Sequence, residues 1–303
     1  MIRLCINNEF DKIKQVVLGI ADDFGGCPTL DQAYDPKSKE NILNGTFPLE
    51  KDLKLELKNF VNIFHKHGVD VLRPVNIFDT NQIFSRDVGF VVGDTFFISN
   101  MIQKRMDEIL GFEFILKKIH SSCIENIPAD VSVEGGDVLV CEDHLFIGYS
   151  EDLDFHKYEV SRTNKEALDF FKVRFPNKQV VGFQLNKSDD NPHKNCLHLD
   201  CCFQPLGLGH VIVCPDGFKR ESDLLLIKEI FGESNIILIN RDEMYNMFAN
   251  IFSIGKNIIV SDQKFKRLNN KLKNKGYVVE EISFSEISKM GGLLRCSTLP
   301  LVR

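Results

Sequence analysis

One unit recurs along this chain at long intervals: a strand, a tight turn and a second strand, then a helical stretch and one further strand. Residues 88–92, the turn Gly93-Asp94 and residues 95–98 form the clearest hairpin, and residues 138–140 with 145–148 repeat it. Two more hairpins follow, at 200–204 with 210–213 and at 251–254 with 258–260. Residues 14–19 supply a fifth, less complete copy. Asn and Gly at the turns suit the positive φ that tight hairpins need. Apolar residues at helical spacing mark 49–67, 101–118, 166–175, 222–231 and 265–275, and strands at 69–72, 180–185, 236–239 and 277–282 close their units. Five such units predict one pseudo-symmetric α/β body over residues 1–303 rather than two independent domains. The long polar stretches 22–46, 150–161 and 187–195 read as loops that wall a site.

Apolar residues make up 43 % of the chain and charged ones 26 %, a balance that supports a buried core and argues against disorder. A net charge of −6 argues against a general nucleic-acid binder. The most basic stretch, 264–275, carries Phe265, Leu268 and Leu272 at helical spacing and reads as a solvated helix face. Nine cysteines, an odd number, and an amino end without an apolar run predict reduced thiols. With no long uncharged apolar stretch, the expectation is a soluble cytoplasmic protein without a membrane partner.

Polar residues stand where the hairpins should open on plain strand residues. Ser85-Arg86-Asp87, Glu134-Gly135-Gly136-Asp137 and His198-Leu199-Asp200 precede three of them, and Arg295-Cys296 lies near the chain end. Equivalent strand starts in a pseudo-symmetric ring converge on one axis. Carboxylates, a histidine and a thiol brought together there suit attack on a guanidinium, which is planar, cationic and unreactive in water. Carboxylates would grip its N–H groups. A thiolate would add to the central carbon while a histidine moves the protons. The His-x-Asp spacing places both side chains on one face of a strand. A metal site built from Cys196, His198, Asp200, Cys201 and Cys202 is the competing reading, but no Cys-x-x-Cys pair is present. No metal and no cofactor are therefore expected.

These motifs, together with Asn81-Gln82-Ile83-Phe84-Ser85-Arg86-Asp87 and Gly291-Gly292-Leu293-Leu294-Arg295-Cys296, resemble the guanidino-group-modifying superfamily. It includes arginine deiminases, dimethylarginine hydrolases and amidinotransferases. The resemblance implies a five-fold β/α propeller of pentein type with its site on the axis, and a possible homodimer. It also implies that Cys296 is the nucleophile, His198 the general acid/base and Glu134 the residue that orients and charges His198. By the same resemblance Asp87 and Asp200 hold the guanidinium, and Asn81, Phe84 and Arg105 contact the amino-acid part of the substrate. Arg162, in Ser161-Arg162-Thr163-Asn164, resembles a second carboxylate-binding arginine.

Hydrolysis of arginine or a close derivative is the expected reaction, because the chain is compact and Asn81, Phe84 and Arg162 match the hydrolase branches. Amidino transfer to an amine is the alternative, since Asn7-Asn8-Glu9-Phe10-Asp11 and Val16-Val17-Leu18-Gly19 resemble amidinotransferases. A non-catalytic propeller that binds arginine-like ligands is the minor one.

Overall fold

In the computed structural model, which describes residues 1–303, the five units become five three-stranded sheets. In each sheet the first strand pairs antiparallel with a central strand, and the central strand pairs parallel with a third. Gly89–Val92, Thr95–Ile98 and Ile124–Asn126 make one sheet. Val138–Cys141, His144–Tyr149 and Gln179–Gln184 make the next. Phe203–Pro205, Val211–Val213 and Ile236–Leu238 follow, then Phe252–Gly255, Ile258–Asp262 and Val278–Ile282. Both chain ends build the last sheet: Thr298–Val302 pairs antiparallel with Gln15–Leu18, which runs parallel to Asp70–Leu72. The amino-terminal unit reads as incomplete because its first strand lies at the other end of the sequence.

Helix Glu50–Lys66 shows how one unit is held. Its spacing puts Leu53, Leu57, Phe60 and Phe64 on a single buried face. Phe60 stacks on Phe64 with ring centroids 4.4 Å apart, and Phe252 and Phe284 meet Phe60 edge-on at 6.0 and 5.5 Å. Each such pair adds roughly 0.5–1.5 kcal/mol beyond the area it buries. Gly68, at φ 70°, ends the helix in the left-handed conformation that glycine adopts without strain. Helix Lys266–Asn274 buries Leu268 and Leu272, while Lys266 and Lys273 pair with Glu281 on its outer side.

Three segments depart from the sequence expectation. Residues 101–118 do not form one α-helix: Gln103–Phe112 is a 3-10 helix and only Glu113–Leu116 is α-helical. Gly111 is wedged where any side chain would strike the Val75 carbonyl at 2.8 Å, and its own carbonyl accepts from Val75 N–H. The stretches expected as plain loops contain helices Pro36–Leu43 and Asp152–Lys157. Finally, the strand expected from residue 200 begins at Phe203, because Leu199–Cys201 turns as a 3-10 helix. The Asp137 carboxylate accepts Leu199 N–H at 2.8 Å and holds that turn. His198 and Asp200 therefore reach the axis around a turn and not along one strand face.

Candidate active site

Successive sheets meet where their first strands begin. Asp87, Asn250 and Cys296 each stand two residues before such a strand, and Asp137 and Asp200 stand one and three residues before the first strands of the other two sheets. Backbone hydrogen bonds repeat around this junction. Arg86 N–H donates to the Cys296 carbonyl at 3.0 Å, and Arg295 N–H donates to the Asn250 carbonyl at 3.2 Å. The Gly-Gly pair of the third unit is needed for the same closeness. A side chain at Gly135 would collide with the Arg86 carbonyl, and one at Gly136 would lie 2.6 Å from His198 Nδ1.

One half of the junction is a histidine held between acids. His198 Nε2 lies 3.0 Å from Glu134 Oε2, and Nδ1 lies 3.7 Å from Asp87 Oδ1. Burial disfavours the imidazolium, but the Asp87 carboxylate, the Glu134 hydrogen bond and Asp137 outweigh it and lift His198 to about 9. Glu134 is fully buried; against that penalty Arg162 at 3.3 Å, His198 and Arg105 hold it well below the usual carboxylate range. His198 Nδ1 and Asp87 Oδ1 are buried without a hydrogen-bond partner and face one another. Unpaired buried polar atoms are costly, and Asp87 Oδ1 is left free to accept an N–H from a bound cationic group. Asp87, Glu134 and His198 also have the spacing of a metal-ligand group. Arg105 Nη1 already stands 2.8 Å from Asp87 and 3.6 Å from Glu134, and its positive charge occupies that position.

The other half is the thiol. Cys296 Sγ lies 3.7 and 3.9 Å from the Asp200 carboxylate oxygens and 3.1 Å from Asn250 Nδ2. Burial pushes the thiol well above its ordinary range, and the Asp200 and Asp87 carboxylates push it further. Asp200 is fixed by Arg295 Nη1 at 2.8 Å, and the same guanidinium binds both oxygens of Glu9 at 3.1 and 3.2 Å. Arg295 in turn holds Glu9 down to about 2 against the burial that would raise it, with help from Arg86. Asn250, Arg295 and Glu9 are contacts that sequence reasoning missed as site residues. For Asn250 the signal was present: it is a polar residue just before the hairpin of residues 251–254 and 258–260, as Asp87 is before its own.

Above the junction lies a cavity of about 510 Å³, lined among others by Tyr34, Asp79, Asn81, Arg105 and Glu108. Asn81 donates to Tyr34 Oη at 3.4 Å. Phe84 is buried against Gly292, where an added Cβ would collide with its ring. Arg105 spends its donors on Glu108, at 2.7 and 2.9 Å, and on Asp87. Arg162 does not line the cavity; it donates to the carbonyls of Glu159 and Tyr34 and braces Glu134. The Tyr34 ring lies between the two arginines, 5.7 Å from Arg105 and 5.4 Å from Arg162. Cys296 is 2 % exposed and His198 0 %, so this layer closes the junction from the cavity. All nine cysteines are free thiols, and no helix is long and apolar enough to cross a membrane.

A ring of five mixed sheets around acids, a histidine and a thiol is the architecture of the guanidino-group-modifying pentein superfamily. Within it, the chain belongs to the family described as N,N dimethylarginine dimethylhydrolase, eukaryotic, which matches residues 48–303. The uncharacterized protein YkgA of Bacillus subtilis is 31 % identical over 246 residues, covering 80 % of this chain and 78 % of YkgA. The bifunctional arginine dihydrolase/ornithine cyclodeaminase ArgZ of Synechocystis is 25 % identical over 237 residues, 76 % of this chain, and the match spans 30 % of ArgZ. The crystal structure of the ArgZ N-terminal domain, an arginine dihydrolase bound to product, shares the fold with a TM-score of 0.78 at 20 % identity, covering 96 % of this chain and 98 % of that one. SxtG, an amidinotransferase from the saxitoxin pathway of Microseira wollei, has a TM-score of 0.77 at 17 % identity, covering 99 % and 97 %.

Proposed function

We propose that this protein hydrolyses arginine or a close arginine derivative at its guanidino carbon, through a covalent adduct on Cys296. The observation that carries this reading is the placement of Cys296 Sγ 3.7 Å from Asp200, with the Asp87–His198–Glu134 cluster on the same junction. A guanidinium held between Asp87 and Asp200 neutralises the two charges that disfavour the thiolate, so binding of a cation releases the thiol proton. The thiolate then forms a C–S bond to the central carbon. Protonated His198 gives its proton to the departing nitrogen, and the C–N bond breaks with loss of ammonia or an amine. Neutral His198 next takes a proton from water as the water oxygen bonds to the same carbon. Collapse breaks the C–S bond, returns the thiolate and leaves a ureido product.

ArgZ, an arginine dihydrolase, supports hydrolysis, and Asn81 and Arg105 in the cavity wall support an arginine-like tail. A second reading, transfer of the amidino group to an amine, is supported by the likeness to SxtG over nearly the whole chain. Both share the first C–S bond. The test is turnover of a panel of guanidino compounds, with and without glycine or other amines, scoring ammonia, methylamines, ureido product and transferred amidine. Ureido product in water alone is expected. Turnover only when an amine is supplied would replace hydrolysis by transfer, and binding without any product would leave a ligand-binding propeller.

A further inference from the structure

We infer that Asn250 is a catalytic residue, the side-chain donor that helps the Leu293 backbone stabilise the Cys296 thiolate and fixes the direction of its attack. The inference rests on Cys296 being the nucleophile. Asn250 is fully buried and touches Cys296 twice: its Oδ1 accepts the Cys296 backbone N–H at 3.1 Å and its Nδ2 lies 3.1 Å from Sγ. The backbone contact settles which way the amide points. An N–H can only donate, so the oxygen must face it, and the NH₂ group must face the sulfur. The second Nδ2 hydrogen is directed at the Asp200 carbonyl, 3.4 Å away. The amide therefore has no freedom to turn, and it bridges the nucleophile to the residue expected to hold the guanidinium.

Among the other polar groups around Sγ, the two oxygens of Asp200 oppose a negative sulfur, and the Leu293 backbone favours one. Asn250 is the side chain in contact with Sγ that favours one. Its N–H···S bond becomes charge-assisted when the proton leaves, so it strengthens along the path to attack. Its position has a structural logic as well. Asn250 stands two residues before Phe252, as Asp87 stands before Gly89 and Cys296 before Thr298. Each sheet thus contributes a polar group to the axis, and Asn250 is the contribution of the sheet between those of Asp200 and Cys296.

Two substitutions separate this role from a structural one. Asn250→Asp keeps the shape and the acceptor for Cys296 N–H but loses the donor to sulfur, whereas Asn250→Ala loses both. Each purified variant is checked for folding by thermal melting. The readouts are kcat/KM on the best guanidino substrate and the pH dependence of Cys296 alkylation by iodoacetamide, followed on its peptide because Cys27 is exposed. Both variants should lose about 100- to 1,000-fold in kcat/KM, the range for removing one preorganised donor. Alkylation of Cys296 should shift to higher pH, most in Asn250→Asp. A folded Asn250→Asp enzyme with near-wild-type turnover and an unchanged alkylation profile would overturn the inference, and if Asn250→Ala does not fold, Asn250→Asp alone decides. Cys296→Ala, run alongside, separates the two claims: an active Cys296→Ala enzyme removes the nucleophile itself.

Discussion

Gly136→Ala places a single methyl group against the ring that the mechanism needs. Its Cβ would lie 2.6 Å from His198 Nδ1, 2.7 Å from Cγ and 2.9 Å from Cβ. Ordinary contact is about 3.5 Å, so the ring must retreat by roughly 1 Å. His198 is fully buried, and a shift of that size cannot keep both its 3.0 Å bond to Glu134 and its 3.7 Å approach to Asp87. Loss of a hydrogen bond to a charged partner costs about 1.5–3 kcal/mol. Expressed on the barrier, that is roughly a ten- to 150-fold fall in kcat, in line with the roughly 100-fold effect of misplacing a catalytic group by 1 Å. Gly255→Ala is the control, since nothing lies within 4 Å of its added Cβ. Steady-state kinetics on both variants, with melting curves to confirm folding, makes the comparison. Folded Gly136→Ala enzyme within about threefold of wild type would refute the assignment of His198 as the proton carrier, because the methyl group cannot be accommodated without moving the ring.

Further outcomes are expected. Glu9→Gln removes a carboxylate from the buried Arg295 guanidinium and should destabilise the fold by about 3–5 kcal/mol in denaturant unfolding, the usual effect of breaking a buried ion pair; a loss under about 1 kcal/mol would show that Glu9 does not balance Arg295. With His198 raised to about 9, the proton donor is present below that pH, so kcat should fall as pH rises through about 9. Glu134→Gln removes a negative neighbour and should move this alkaline limb to lower pH, and an unmoved limb would assign it to another group. The same sign governs stability: the charged-histidine contribution is complete below the free-histidine value near 6.5 and is lost as pH rises through about 9. Arg162→Met should lower kcat through Glu134 more than it raises KM, because Arg162 faces Glu134 and not the cavity.

Four units of the five-fold plan were legible because each is local in sequence and turns tightly between apolar strands, three of them through Gly or Asn. The closing sheet was not, since Gln15–Leu18 and Thr298–Val302 pair across the whole length of the chain. Helix Pro36–Leu43 carried a readable signal that a polar composition masked: Asp35 caps it by accepting from Lys37 N–H and Ser38 N–H, and proline opens it. Within the site, Asp87, Glu134, His198, Asp200 and Cys296 meet because they lie in the short segments that lead into the first strands of their sheets. The route taken by His198 and Asp200 was misjudged, as spacing alone does not distinguish a strand from a turn held by the distant Asp137 carboxylate. The Glu9–Arg295–Asp200 chain joins residues 286 and 95 positions apart, and no local pattern announces such a contact.

The C–S bond is the step on which hydrolysis and transfer agree, and trapping it tests the central claim most directly. Enzyme mixed with arginine or a methylated arginine and quenched in acid within one turnover should gain the mass of the substrate less the departing ammonia or amine. Fragmentation should place that mass on the peptide carrying Cys296, and Cys296→Ala should show neither the adduct nor turnover. Product formation by Cys296→Ala, or an adduct located on another residue, would contradict the account.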